Sequence, residues 1–299
     1  MLDLFDRLIA AKIPFKENLS GKELSAYRGG GAVKIVAYPE SVSALKALTA
    51  LATEFGVPYM PFGLGSNLLI SDNGYDGIFI SSIGFRNLSV RGNRLVSGSG
   101  VSLKRAMECA AENDVSGLEE LSGIPASIGG MAKANAGSFG KEMADIISEV
   151  TVFDCQTGNV SVIKRRDIDY GYRTSGDTFR GKIILEAVID GERSDKVRKV
   201  SEHFLNERRK TQPSFPSLGS VFKRTNLGVG MGYYIDKAGL KGTRVGGAEI
   251  SEKHAGFIVN RGGGTAADYI KLKRLAHDVV YRKFGISAED EIEIIGKYD

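Results

Sequence analysis

A chain of 299 residues with 42% hydrophobic and 25% charged residues lies near the globular average. That excludes a disordered or fibrous protein and leaves length for one large or two to three small domains. Lys plus Arg at 40 against Asp plus Glu at 36 gives a net charge of +4, spread in mixed-sign segments. The densest basic patches, Lys196-Val-Arg-Lys199 and Arg208-Arg-Lys210, have Glu202 and Glu207 beside them. They read as solvated helix faces, and no nucleic-acid partner is expected.

The N-terminal stretch MLDLFDRLIAAKIPFKE carries acids and stops being apolar too soon for a signal peptide. No run approaches membrane-spanning length, so a cytoplasmic protein with no membrane association is expected. Residues 32–38, AVKIVAY, read as a strand. Pro39-Glu-Ser41 then opens a helix with Leu45, Leu48, Ala52 and Phe55 on one face, stopped at Gly56 with Pro58 beyond. VPYMPFG is again extended, and strand, helix and strand in that order suggest a small α/β unit. The loop after its last strand, Gly63-Leu-Gly-Ser-Asn67, is where such units bind ligands.

From about residue 78 the pattern turns to short strands: GIFISS, NLSVRG, RLVSGSG, SEVTVFDCQTG and GKIILEAVI. A helix over Leu103–Glu112, with Ala106, Met107 and Ala110 on one face, interrupts them. A charged helix near 195–210 precedes TQPSFPS, whose two prolines open a third region. That region ends in a helix capped by Thr265, with Leu272, Leu275, Ala276 and Val279 inward and Gly285 as the stop, followed by the strand EIEIIG. Cys109 and Cys155 lie far apart without CxxC or CxxH spacing, which argues against a disulfide framework or a metal site and suits a reducing compartment.

Thirty-eight glycines are more than turns alone account for, because each costs backbone entropy. They cluster at 29–31, 63–65, 98–100, 123–140 and 262–264. The longest cluster, SGIPASIGGMAKANAGSFG, is a flexible surface loop on one reading. Apolar Ile124, Ile128 and Met131 inside it favour the other, a segment whose backbone a ligand approaches closely and whose amides bond phosphate oxygens. Neither GxxxxGK[ST] nor a strand-linked GxGxxG is present, which disfavours ordinary mononucleotide and Rossmann binding. Two glycine-rich segments from two subdomains would clasp something long, and a dinucleotide fits. Ser220, in PSLGSVFK, has no G-x-S-x-G elbow around it and so is not read as a nucleophile.

Gly63-Leu-Gly-Ser-Asn-Leu-Leu69, Gly123-Ile-Pro-Ala-Ser-Ile-Gly-Gly130 and Asn135-Ala-Gly137 resemble the FAD-binding segments of the vanillyl-alcohol-oxidase (PCMH-type) fold. Tyr172-Arg-Thr-Ser175, Gly219-Ser-Val-Phe-Lys223, Ala238-Gly-Leu-Lys-Gly242, His254-Ala-Gly-Phe-Ile-Val-Asn260 and Glu291-Ile-Glu-Ile-Ile-Gly296 follow in order. Together they resemble the UDP-N-acetylenolpyruvoylglucosamine reductase family, in its compact type without a tyrosine-bearing insertion. The resemblance implies an α+β protein: FAD-binding subdomains over 1–75 and 76–200 and a C-terminal substrate domain over 201–299. It implies FAD contacts at Gly63, Gly65, Ser66, Asn67, Leu68, Gly123, Ile124, Pro125, Ser127, Ile128, Gly129, Asn135 and Gly137.

The implied reaction has two stages. NADPH reduces FAD, and an enolpyruvyl sugar nucleotide then receives hydride at C3 and a proton at C2. Ser220 matches the proton donor, Arg173 the cation on the substrate carboxylate, and Glu291 a glutamate acting with that arginine. A serine hydroxyl can protonate so basic an enolate when held against it, without a histidine base. Lys223 and Arg224 are candidates for the diphosphate or the substrate carboxylate. Read singly, Ser220 fits a turn hydrogen bond, Arg173 a surface ion pair and Glu291 a strand end; their joint occurrence carries the assignment. His254 fits either a structural histidine or a substrate contact, and no chemistry is assigned to it. Because His203, His254 and His277 lie beyond the FAD segments and Cys109 falls in a helix, non-covalent FAD is expected.

Two departures stand out from the family pattern. Arg224-Thr225 replaces the usual Asn-Pro, and Glu291-Ile-Glu293 replaces Glu-Val-Arg. A flavin oxidoreductase with another anionic substrate, or a non-catalytic nucleotide-binding paralogue, are the rival readings.

Overall fold

The computed structural model describes residues 2–297. In chain order it begins with α1 (Leu2–Ala10), β1 (Phe15–Ser20), the single turn α2 (Gly21–Leu24), β2 (Ala32–Ala37), α3 (Val42–Glu54), β3 (Tyr59–Phe62), β4 (Leu68–Ile70) and β5 (Tyr75–Ser81). Next come β6 (Leu88–Arg91), β7 (Arg94–Gly98), α4 (Leu103–Glu112), α5 (Ile128–Ala134), β8 (Gly137–Ser138), β9 (Lys141–Glu142), β10 (Ile147–Asp154), β11 (Val160–Lys164), β12 (Lys182–Asp190) and α6 (Val197–Thr211). The last stretch holds β13 (Ser217–Ser220), α7 (Met231–Lys237), β14 (Arg244–Val245), β15 (Ala248–Ile250), β16 (Phe257–Asn260), α8 (Ala266–Phe284) and β17 (Glu293–Ile295). The chain forms two compact units: Met1–Lys16, Ile35–Leu64 and Gly77–Arg208 make the first, and Glu17–Lys34, Gly65–Asp76 and Arg209–Asp299 the second.

The first unit has two cores. Along β10, Val150 and Val152 are buried in one core while Thr151 between them is half-exposed, and Phe153 on the opposite face joins the other core. β10 lies between β11 and β12 in a five-stranded antiparallel sheet, β11-β10-β12-β7-β6, whose central strand is β12. Helices α4 and α5 supply Ala106, Cys109, Ala110, Ile128 and Met131 to the same core. α4 starts where the Ser102 hydroxyl accepts the Arg105 amide at 3.3 Å, and Ala106 and Ala110 recur at the four-residue interval that keeps them on one face. The second core packs Leu4 and Leu8 of α1 and Leu45, Leu48 and Ala52 of α3 against Ile35, Ile78, Ile80, Phe153 and Ile183. Ser41 caps α3 as its sequence pattern predicts, accepting the Ala44 amide at 3.1 Å. β2 and β3 lie in one sheet as expected, with β5 between them in the order β1-β2-β5-β3.

The second unit is built on the sheet β13-β16-β15-β14 and on α8. Thr265 and Asp268 form a reciprocal capping box at the start of α8, and Gly285 ends it at φ 66°. Tyr269, Leu272, Ala276 and Val280 form its buried stripe. Leu275, expected inward, is 37% exposed. At 100° per residue it falls roughly 100° from the centre of that stripe, whereas Val279 falls nearer and is partly buried.

The glycine-rich segment 122–140 is not a flexible surface loop throughout. Its middle is instead helical: Ser127 caps α5, its hydroxyl accepting the Gly130 amide at 3.3 Å. Two glycines conceal the helix from a propensity argument, and packing overrides them. Helices α1 and α7 were also not anticipated. Among the described residues no helix is long and apolar enough to cross a membrane.

Candidate active site

Ser220 is the last residue of β13, opposite Phe257, and a register irregularity between Ser217 and Ser220 re-aims the strand there. The chain beyond it runs antiparallel to the segment before β17. Val221 accepts the Glu291 amide at 2.9 Å, Phe222 bridges Asp290, and the Lys223 amide donates to Glu289 at 2.9 Å. This pairing brings Ser220 and Glu291, both half-buried, to neighbouring positions.

A third segment joins them. The Asn67 side-chain amide donates to the Glu291 carbonyl at 2.8 Å, and Asn67 accepts the Glu293 amide at 2.9 Å. β4 then pairs in parallel with β17, Leu68 against Glu293. The loop carrying Gly65, Ser66, Asn67 and Leu68 is held from its other side by Gly65, whose carbonyl accepts the Ala26 amide at 3.0 Å. Gly65 has φ 65°, and a Cβ there would stand 1.8 Å from the Leu24 oxygen. Only glycine fits.

Lys223 forms an ion pair with Glu289 at 2.9 Å. Arg224 is exposed and bridges Gly230. Thr225, buried, donates its hydroxyl to the Val229 carbonyl at 2.9 Å and closes its own turn. His254 Nδ1 accepts the Gly256 amide at 3.1 Å, and its ring meets Phe257 edge-on. Burial lowers its pKa, so the ring is held neutral with the proton on Nε2. Of the two readings left open for His254, this geometry matches the structural one: it shapes the turn whose Gly256 carbonyl accepts the Val221 amide.

The first unit holds the remaining sequence-derived residues. Gly63 lies against Ser127: a Cβ on it would be 3.0 Å from the serine hydroxyl. Gly63, directly after β3, therefore meets the longest glycine cluster. In that cluster Ile128, Gly129 and Met131 are buried, Ile124 is half-buried, and Gly123, Pro125 and Gly130 are exposed. Apolar side chains anchor the segment from beneath while its backbone stays accessible, which fits a flavin nucleotide held mainly by main-chain groups. Asn135, at φ 45°, spends its side chain on the scaffold: Nδ2 donates to Glu142 Oε2 at 2.9 Å and to the Gly171 carbonyl at 2.8 Å, and Oδ1 accepts the Ala144 amide at 2.9 Å. Arg173 projects from a tight turn closed by Gly171 and Thr174, and donates to the Gly137 carbonyl at 2.6 Å and to Glu142 Oε1 at 3.2 Å.

Arg208 departs from the solvated-face reading. It is half-buried in α6 and donates to the Ser122 carbonyl at 2.8 Å and to the Ser138 hydroxyl at 2.6 Å, the two ends of the glycine-rich segment. Burial lowers its pKa. Sequence reasoning missed Arg208 and Glu142 because only their distant partners distinguish them from surface charges.

Residues 33–164 match the family model described as FAD binding domain, and residues 211–295 match that of the UDP-N-acetylenolpyruvoylglucosamine reductase C-terminal domain. At the level of fold, the chain resembles an alkyldihydroxyacetonephosphate synthase structure with a TM-score of 0.51 and 16% identity, over 64% of this chain and 41% of that one. Fold and glycine-rich segments thus define a flavoprotein of the FAD-binding type seen in the vanillyl-alcohol-oxidase group. The chain is 35% identical over 299 residues to the UDP-N-acetylenolpyruvoylglucosamine reductase of Syntrophomonas wolfei, covering 99% of both. It superposes on the crystal structure of the corresponding enzyme of Thermus caldophilus with a TM-score of 0.82 at 32% identity, over 95% of this chain and 100% of that one. The chain belongs to the UDP-N-acetylenolpyruvoylglucosamine reductase family.

Proposed function

We propose that this protein is an FAD-dependent, NADPH-driven reductase that converts UDP-N-acetylglucosamine enolpyruvate to UDP-N-acetylmuramate for peptidoglycan precursor synthesis in the cytoplasm. The observation that supports this reading is the antiparallel pairing of 221–223 with 289–291, which sets Glu291 opposite Val221, the residue next to the expected proton donor Ser220, on a scaffold shared with Asn67. When bound, non-covalent FAD supplies a two-electron carrier that takes hydride from NADPH and delivers it to C3 of the substrate. Residues 1–75 and 76–200 serve as the flavin-binding regions and 201–299 as the substrate region. Gly63, Gly65, Ser66, Asn67, Leu68, Gly123, Ile124, Pro125, Ser127, Ile128, Gly129, Asn135 and Gly137 line the flavin's path, several through the backbone alone.

The remaining steps belong to the protein's own side chains. As C3 gains hydride, negative charge accumulates on the substrate carboxylate; the Arg173 guanidinium stabilises it more in the transition state than in the ground state. Glu291 acts with Arg173 on the same carboxylate. Ser220 passes its hydroxyl proton to C2 and is reprotonated from solvent, so one hydride and one proton are consumed per product. Lys223 and Arg224 hold anionic groups of the substrate, Lys223 by exchanging its ion pair with Glu289 for the ligand.

The test is an anaerobic absorbance trace of the purified protein, with the flavin band bleached by NADPH and UDP-N-acetylglucosamine enolpyruvate then added. Return of the oxidised band supports the reading. A flavin that stays bleached points to another anionic substrate, and a protein that takes up no flavin to a non-catalytic paralogue.

A further inference from the structure

Glu142 lies in the first unit on β9, directly opposite Gly137 across a two-residue turn, Phe139-Gly140, in which both residues have positive φ. Such a turn matches the twist of paired strands and fixes their register. The Glu142 carboxylate is used at both oxygens: Oε1 accepts from Arg173 Nη1 at 3.2 Å, and Oε2 accepts from Asn135 Nδ2 at 2.9 Å. Gly137, across the strand pair, accepts Arg173 Nη2 at 2.6 Å, and a Cβ on Gly137 would stand 3.0 Å from Arg173 Nη1. The Arg173 side chain is 18% exposed and that of Glu142 30%, so the pair is partly shielded from solvent screening. Arg173 itself has φ 55°, a conformation a non-glycine residue holds only when its surroundings determine it.

We propose that Glu142 is a positioning residue for Arg173, a role that rests on the reading of Arg173 as the cation facing the substrate carboxylate. A long guanidinium side chain samples many rotamers, and its loss of freedom on binding a carboxylate opposes catalysis. Glu142, itself fixed by Asn135, removes that freedom before substrate arrives. Its charge also offsets part of the Arg173 charge in the resting enzyme, so ground-state attraction for the anionic substrate is reduced while transition-state alignment is retained. Removing the charge therefore has two effects of opposite sense: the substrate binds no more weakly, and the reaction slows.

The experiment measures both half-reactions of the flavin-loaded protein by anaerobic stopped flow for wild type, Glu142→Gln, Arg173→Ala and the double variant. Glu142→Gln is close to isosteric and tests the charge with little risk to folding. In Glu142→Gln the limiting rate of flavin reoxidation by substrate should fall about 10- to 100-fold, with half-saturation unchanged or lower, while reduction by NADPH changes less than about twofold. On the Arg173→Ala background the same substitution should cost less than about twofold, because there is no longer a guanidinium to position. Equal slowing on both backgrounds, a full reoxidation rate in Glu142→Gln, or weaker substrate binding in step with the rate would overturn the inference while leaving Arg173 its role. An Arg173→Ala protein that reoxidises at the wild-type rate would overturn the Arg173 assignment itself, and the role of Glu142 with it.

Discussion

The side-chain amide of Asn67 donates to the Glu291 carbonyl at 2.8 Å while the Asn67 carbonyl accepts the Glu293 amide at 2.9 Å. An expected flavin contact thus holds the segment 291–293, which carries the expected partner of Arg173, through one side-chain and one backbone bond. Asn67→Ala removes the first of these. It should cost about 0.5–1.5 kcal/mol in urea unfolding and slow reoxidation of the flavin by substrate. Unchanged stability together with unchanged reoxidation would show that the second bond suffices.

Ser220→Ala should leave the NADPH-to-flavin half-reaction near its wild-type rate and slow substrate reduction by orders of magnitude, since the serine acts only as C2 is protonated. Single-turnover absorbance traces of each half separate the two. Equal losses in both would assign Ser220 a structural role at the end of β13.

Gly65→Ala combines φ 65° with a Cβ placed 1.8 Å from the Leu24 backbone oxygen. Backbone strain and overpacking add to about 2–5 kcal/mol of destabilisation. Chemical unfolding and the flavin content of the purified protein check it; a flavin-replete variant of wild-type stability would mean that the loop can move off Leu24.

His254 links stability to pH in a defined direction. Burial lowers its folded-state pKa below the ordinary 6.5, so between the two values the unfolded chain binds more protons. Its contribution is present above pH 6.5 and is lost as the pH falls toward the folded value. His254→Gln should flatten the acid side of the stability curve, measured by urea unfolding at about pH 5 and pH 7.5.

Burial, with the nearby Asp154 charge, pushes the Cys155 thiol up to about 11. Since the thiolate is the reactive form, alkylation by iodoacetamide near neutral pH should be roughly a hundredfold slower than for an unfolded thiol. Mass spectrometry of the timed reaction, with and without denaturant, would show it. Rapid alkylation of native Cys155 would contradict the shift.

Much of the scaffold was legible where local signals agree. Ser41 and Thr265 cap helices at the positions their sequence patterns predict, and the four-residue spacing in Leu103–Glu112 marks its buried face. α5 was not legible, because Gly129 and Gly130 suppress the helical signal. Leu275 was placed inward for its apolar side chain, yet the helical phase carries it away from the core stripe. Arg208 looked solvated among its basic neighbours, and only its bonds to Ser122 and Ser138 distinguish it.

By itself the sequence carried the glycine-rich segments, the helix caps at Ser41 and Thr265 and the buried face of Leu103–Glu112, because caps and periodicity are properties of short stretches, whereas Arg173, Ser220 and Glu291 became candidates through the resemblance of their motifs to a family. Only the tertiary structure decided that 221–223 pairs with 289–291, that Asn67 closes onto Glu291, and that Arg173 rests on Glu142 and Gly137. Those choices depend on which distant backbone and side-chain groups remain to satisfy one another's hydrogen bonds once the cores have formed. No local stretch of sequence carries that information.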